Sequence, residues 1–127
     1  MSHMDTAAAN LLLQTYGEAW EKRDADLITT IFTEDATYLD PKEGEVRGRD
    51  GIRNYWISKV QGEQKDIRFK LLNVWVNGET VIAEWNAVFT DVPRNLNIDM
   101  TEVAIFGTRD GKFSSLREYY KSTKTPL

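Results

Sequence analysis

Three acids and one phenol carry the chemistry open to this sequence. Asp40 precedes Pro41. Proline has no N–H for a ladder and disfavours helix in the residue before it, so Asp40 should close a strand and stand at a turn. Glu102 interrupts a run of alternate apolar residues, Ile98, Met100, Ala104 and Phe106. Glu118 alternates with Leu116 and Tyr120 in the last segment. Successive side chains of a strand point to opposite faces. If Leu116 faces inward, Glu102 and Glu118 therefore share one facing on neighbouring strands. Two carboxyls in an apolar cavity cannot both ionise cheaply, so one should hold its proton. That arrangement suits general acid/base work. Tyr16, on the apolar face of the first helix, would bring a hydroxyl to the same place.

The elements that must position these groups follow from periodicity. Residues 5–22 read as a helix with Asp5 or Thr6 as cap. Leu12, Tyr16, Ala19 and Trp20 lie on one face of it. Gly17 is a mild defect there and would let another backbone approach closely. Asp24 caps a second short helix with Leu27, Ile28, Ile31 and Phe32 as its stripe. Residues 36–39 form a short strand. After a Gly-rich excursion, Asp50 caps a third helix, residues 50–60, with Ile52, Tyr55, Trp56 and Val60 on one face. Arg47 and Arg49 read as surface groups or as partners for Asp40 or Glu34. From residue 67 the period becomes strand-like. Asn77-Gly78 signals a hairpin, and strands are expected over residues 67–76, 80–90, 97–107 and 112–121. In the second of these, Val81, Ala83, Trp85, Ala87 and Phe89 should face inward. Phe113 and Leu116 can share a face only across a bulge.

The expected fold is α+β, with three N-terminal helices packed on a strongly curved antiparallel sheet. Such a sheet closes on its helices and leaves a cavity at its open end. Trp20, Phe32, Tyr55, Trp56, Trp85, Met100 and Tyr120 are the candidates to line it, and Trp75 reads as a core aromatic. Residues 5–121 make one domain. Residues 1–4 look like a cloning scar, and residues 122–127 are expected as a frayed tail.

Composition narrows the functions. The chain has 127 residues, is 41% hydrophobic, and carries four Trp, five Tyr and five Phe, enough for a bulky core. A net charge of −4 argues against a nucleic-acid partner. There is no cysteine, and His3 is the sole histidine, so thiolate chemistry and a histidine-based metal site are not expected. No cofactor is implied. No apolar run is long enough to span a bilayer, and no signal-peptide pattern opens the chain. A cytoplasmic protein with no membrane partner is the expectation.

The stretch Thr33-Glu-Asp-Ala-Thr-Tyr-Leu-Asp-Pro, followed by Gly48-Arg-Asp-Gly-Ile, resembles the signature of the SnoaL-like branch of the NTF2-like superfamily. The resemblance runs from the first helix to Tyr120. It implies a cone-shaped fold with a deep pocket, commonly paired as a homodimer through the outer sheet face. The frame most resembles ketosteroid isomerase. In that family a Tyr on the first helix, an Asp-Pro aspartate and an acid on the third strand of the meander act together, and Tyr16, Asp40 and Glu102 match in place. The resemblance implies Asp40 as base, with Tyr16 and a protonated Glu102 donating to an enolate oxygen. The chain departs from the family at Glu102, where the family has Asp. It departs at Phe32 and Trp56, where the family has supporting tyrosines, and at Glu118, where it has a small apolar residue.

The leading expectation is a small-molecule pocket protein that transfers a proton, isomerase- or cyclase-like, on an apolar carbonyl compound. Asp40, Tyr16, Glu102 and Glu118 would be its polar groups. A non-catalytic ligand-binding or dimerisation module is the alternative. An epoxide hydrolase-like or dehydratase-like enzyme is the third; the epoxide chemistry would require an arginine set between two acids in the pocket.

Overall fold

The computed structural model describes residues 4–127. Helix α1 (Thr6–Glu21) starts at Asp5, whose carboxylate accepts from the Ala8 N–H, as an N-cap should. It buries Leu13, Tyr16, Gly17 and Trp20 against the sheet. Helix α2 (Ala25–Thr29) is capped by Asp24, which accepts from the N–H groups of Asp26 and Leu27. Strands β1 (Phe32–Asp40) and β2 (Gly44–Arg47) form a hairpin. Helix α3 (Gly48–Tyr55) then runs directly into a π-helical turn, Trp56–Gln61.

Four long strands complete the chain: β3 (Gln64–Asn77), β4 (Thr80–Asp91), β5 (Leu96–Arg109) and β6 (Lys112–Pro126). All six strands form one curved sheet in the order β2-β1-β6-β5-β4-β3. The helices lie against its concave face, where the core sits. Val81, Ala83, Trp85, Ala87 and Phe89 of β4 are all buried, matching the alternation read from the sequence. Phe113 and Leu116 are both buried as well. The β5–β6 register slips by one residue between Gly107 and Thr108, leaving Ser114 as the extra residue of a bulge.

Several local expectations are corrected. The first strand is nine residues long rather than four, and it pairs in parallel with β6, so the sheet is not wholly antiparallel. Phe32 opens that strand instead of ending a helical stripe. Helix α3 begins at Gly48, with Arg47 at the cap position and no side-chain cap; Asp50 sits in its first turn. The segment expected to continue as α-helix widens into the π turn. Residues 122–126 continue β6 and pair with β5 as far as Leu96. Of the four residues read as a cloning scar, 1–3 lie outside the described residues, and Met4 is buried in the core. Arg47 pairs with Glu45, and Arg49 donates to the Phe32 carbonyl; neither reaches Asp40 or Glu34.

The sheet's other face is partly apolar. Trp75, Ile82, Ile105, Arg117 and Leu39 follow one another across the ladders, with Val103 beside Tyr119 in the next row. Trp75 is 52% exposed, so it belongs to this outer face and not to the core.

Gly17 meets a side chain, not a backbone. A Cβ there would overlap the Phe69 ring, which is itself held against Tyr16, Trp20 and Trp85. Gly17→Ala gains helix propensity of about 1 kcal/mol but overpacks a wedged ring at ~1–3 kcal/mol. The clash should win. Denaturant unfolding is expected to show a less stable variant; a gain would mean that Phe69 moves aside freely.

Candidate functional site

The curved sheet and helices enclose a cavity of about 180 Å³. β6 sends Glu118 and Tyr120 into it, β5 sends Met100 and Glu102, and β1 sends Tyr38 and Asp40. Tyr16 enters from α1, Tyr55 and Trp56 from the α3 segment. The four residues singled out for chemistry thus converge on one cavity. Of the lining candidates, Trp20, Tyr55, Trp56, Met100 and Tyr120 line it. Phe32 and Trp85 do not. Phe32 packs behind the wall on Tyr38 and Phe113, and Trp85 lies beneath it among Tyr16, Phe69 and Phe106.

Glu118 is 7% exposed and sits at the centre. The Tyr38 hydroxyl donates to its Oε1 at 2.8 Å, and the Tyr16 hydroxyl to the same oxygen at 3.2 Å. The two hydroxyls are 2.9 Å apart. Burial pushes both phenols up, and the neighbouring Glu118 adds to this, so they remain protonated donors. Burial also pushes the Glu118 carboxyl up, to about 7. The Asp40 charge adds to that rise, and the Glu102 and Tyr38 groups oppose it.

Glu102 is 2% exposed, and its carboxyl is raised well above the ordinary range, by burial first and by Glu118 second. Its Oε2 has no hydrogen-bond partner. Glu118 pairs with Ala104 and Glu102 with Tyr120, so the two acids are diagonal neighbours on one face. Trp85 stands directly across the β4–β5 ladder from Glu102, and its indole N–H is also buried without a partner.

Asp40 behaves differently. Its Oδ1 accepts from the N–H groups of Lys42 at 2.7 Å and Glu43 at 3.1 Å, and from the Tyr120 hydroxyl at 3.4 Å. Its Oδ2 accepts from Tyr55 at 2.8 Å. Burial alone would raise this carboxyl, but the Lys42 N–H, the Tyr55 hydroxyl and the Glu43 N–H outweigh it and hold the net value below the usual range. Asp40 is therefore an ionised group tied to its turn.

Tyr38 is the functional side chain that the sequence reading passed over. The alternation of Ala36 and Tyr38, both buried on β1, was the signal available. Together with Tyr55 it supplies the phenols missing at Phe32 and Trp56. Among the described residues, no three His, Cys, Asp or Glu side chains are grouped so as to hold a metal ion. No described helix is long and apolar enough to cross a membrane.

Over residues 13–116 the chain matches the SnoaL-like domain family. Solved structures of similar shape include a type 3 hexachlorocyclohexane dehydrochlorinase from Novosphingobium barchaimii. It is 24% identical, with a TM-score of 0.79, over 95% of this chain and 88% of that one. SalBIII, an epoxide hydrolase/cyclase-like enzyme of pyran ring formation in the polyether salinomycin, is 24% identical. Its TM-score is 0.76, over 92% of this chain and 93% of that one. A protein of ketosteroid isomerase-like fold from Catenulispora acidiphila is 18% identical. It gives a TM-score of 0.78, over 87% of this chain and 85% of that one. At such identities the likeness is one of fold. No curated protein matches by sequence.

An acid whose pKa is raised in the folded state weakens the fold once it ionises. Folded Glu118 keeps its proton to about pH 7, whereas an unfolded Glu loses it near pH 4.3. Between those values the folded chain binds more protons, so stability falls as pH rises through the window. Denaturant unfolding of Glu118→Gln should show that slope reduced and the variant more stable than the parent at pH 8. Carboxyl-carbon NMR should find Glu118 titrating near neutrality. Equal slopes, with titration near pH 4, would show a solvated carboxyl instead.

Proposed function

Because the chain belongs to the SnoaL-like domain family and folds as an NTF2-like cone, we propose that it binds a small apolar carbonyl compound and moves a proton on it. The observation that carries this reading is the buried carboxyl pair: Glu118, with two phenols on its Oε1, beside Glu102 as its diagonal neighbour on the same face, where burial raises both acids. Glu118 takes the proton alpha to the carbonyl and returns it at another carbon of the same substrate. The Glu102 O–H, whose Oε2 has no protein partner, donates to the oxygen on which charge develops. Tyr16 and Tyr38 hold Glu118 Oε1, leaving Oε2 for the substrate. Tyr16 thus acts through Glu118, rather than on the substrate oxygen as the isomerase resemblance implies.

The base role moves from Asp40 to Glu118 for the same physical reason. A base near the operating pH is the more effective one. Asp40 accepts four hydrogen bonds and is a weak base, and its fixed negative charge contributes by raising Glu118. The epoxide hydrolase-like reading gains no support from the contacts. No arginine donates to Asp40 or Glu118 among the described residues, Arg117 is exposed, and Asp99 accepts from Asn86 on the outer face. Arg94 does line the cavity, but at its mouth, paired with Asp91 and Glu63.

Deuterium exchange into the alpha positions of planar aryl ketones, followed by proton NMR, tests the reading. The parent should accelerate exchange. Glu118→Gln should lose about 10²–10⁴-fold, the range of a general base, while Asp40→Asn should lose less. Binding by the parent without any acceleration of exchange would leave a ligand-binding module.

The apolar outer face is proposed to pair with a second copy, as the family resemblance implies. Sedimentation should show a dimer that Val103→Lys with Tyr119→Lys converts to monomer. A parent that is already monomeric would remove this part of the proposal.

A further inference from the structure

The floor of the cavity is a pair of acids, but its mouth is cationic. Seven charged side chains ring the opening: Lys42, Glu43, Lys59, Glu63, Asp91, Arg94 and Lys124. The three carboxylates are already taken. Lys59 bridges Glu43 at 2.9 Å and Glu63 at 3.3 Å. Arg94 bridges Glu63 at 3.4 Å and Asp91 at 3.1 Å. Lys42 and Lys124 make no ion pair among the described residues, so the rim's net charge of +1, four cations against three carboxylates, rests on two ammonium groups without a carboxylate partner.

Their placement is set by the strands. Glu118, Tyr120, Ser122 and Lys124 alternate along β6, and all four line the cavity. Lys124 is six residues, about 20 Å of extended chain, beyond Glu118. Lys42 extends from the β1–β2 turn, its Nζ 6.0 Å from the centre of the Tyr120 ring. One ammonium therefore leans over the inner mouth and the other marks the outer rim. Between the rim and the acids the wall is apolar, from Trp20, Trp56, Val60, Phe89, Ile98 and Met100. At the far end, Glu102 and Glu118 line the cavity, and a ligand oxygen that reaches the floor meets their carboxyls.

We infer that the ligand is an amphiphilic organic acid: a carboxylate drawn to the unpaired ammonium groups of the mouth and seated at Lys42, an apolar body along the aromatic wall, and a carbonyl oxygen at Glu102. This rests on the proton-transfer reading of the pocket and names the class of molecule that the pocket takes. The inner acids do not repel such an anion strongly. Burial disfavours the charged forms of Glu102 and Glu118, so the ionised Asp40 is the one inner acid held in its charged form, and the ligand's carboxylate stays near the rim. A neutral ketone would leave the two ammonium groups unused. A shorter keto acid would have to choose between the mouth and the floor.

The test is calorimetric titration of the whole chain with para-acetylphenylpropionate and with its methyl ester, at low and at physiological ionic strength. The acid should bind about tenfold more tightly than the ester, the sum expected of two partly exposed charge contacts. Added salt should weaken the acid and leave the ester unchanged. The double variant Lys42→Gln, Lys124→Gln keeps the backbone N–H that Asp40 uses. It should bring the acid down to the affinity of the ester and leave the ester as it was. If acid and ester bind alike to the parent, or the lysine substitutions leave the acid unaffected, the anion site is overturned and the pocket reading survives. If neither compound binds, both fall together.

Discussion

Putting two carboxyls into an aromatic cone is the constraint on which the rest of this structure depends. Burial disfavours the charged form of each, and their mutual proximity disfavours it further. The fold answers with phenols. Tyr16, Tyr38, Tyr55 and Tyr120 come from four different elements, and all are turned toward Glu118 or Asp40. Each is itself held neutral by the same burial, so the site contains donors that do not compete for protons. What separates the acids is what surrounds them. Asp40 receives backbone N–H groups and stays ionised. Glu118 receives phenols alone and rises. Glu102 has an oxygen with no partner and rises as well. Three acids in one cavity thereby take different protonation behaviours, and among the described residues none of the three forms an ion pair.

Much of this was legible because strands alternate. Glu102 could be placed inside since Ile98, Met100, Ala104 and Phe106 share its facing. Glu118 followed from Leu116, and the bulge at Ser114 follows from having both Phe113 and Leu116 inside. The losses share a cause. Tyr38 was missed because β1 was read as four residues, too short to assign a facing. Its full length is fixed by parallel pairing with β6, about eighty residues away, which no local pattern records. Trp75 was placed in the core on its chemistry, yet it pairs with Ile82 on the outer face. The β6 extension through Ser122 and Thr123 looks polar and frayed in the sequence. Its neighbour β5 supplies the ladder that holds it.

The helical layer is also shaped by the cavity. Trp56 and Val60, four residues apart and so on one face of the helical segment, both reach the cavity. The Trp56 indole N–H meanwhile donates to the Ala19 carbonyl at 3.0 Å, tying this turn to the end of α1. The wall is therefore fixed on both sides, by the aromatic contacts of α1 and by the ladder of β5 and β6.

The hydrogen bonds at Glu118 join residues that are 102 and 80 positions apart in the chain. On a ribosome, α1 and β1 emerge long before the strand that carries their acceptor. Until β6 is made, β1 has only the short β2 as a neighbour, and the phenols of Tyr16 and Tyr38 have no carboxylate to meet. Non-local pairing of this kind is slow, because the closing loop must be ordered before the contact forms. The site is thus a late product of synthesis, and a chain released before β6 would expose an unpaired edge on β5, a surface suited to aggregation rather than to binding.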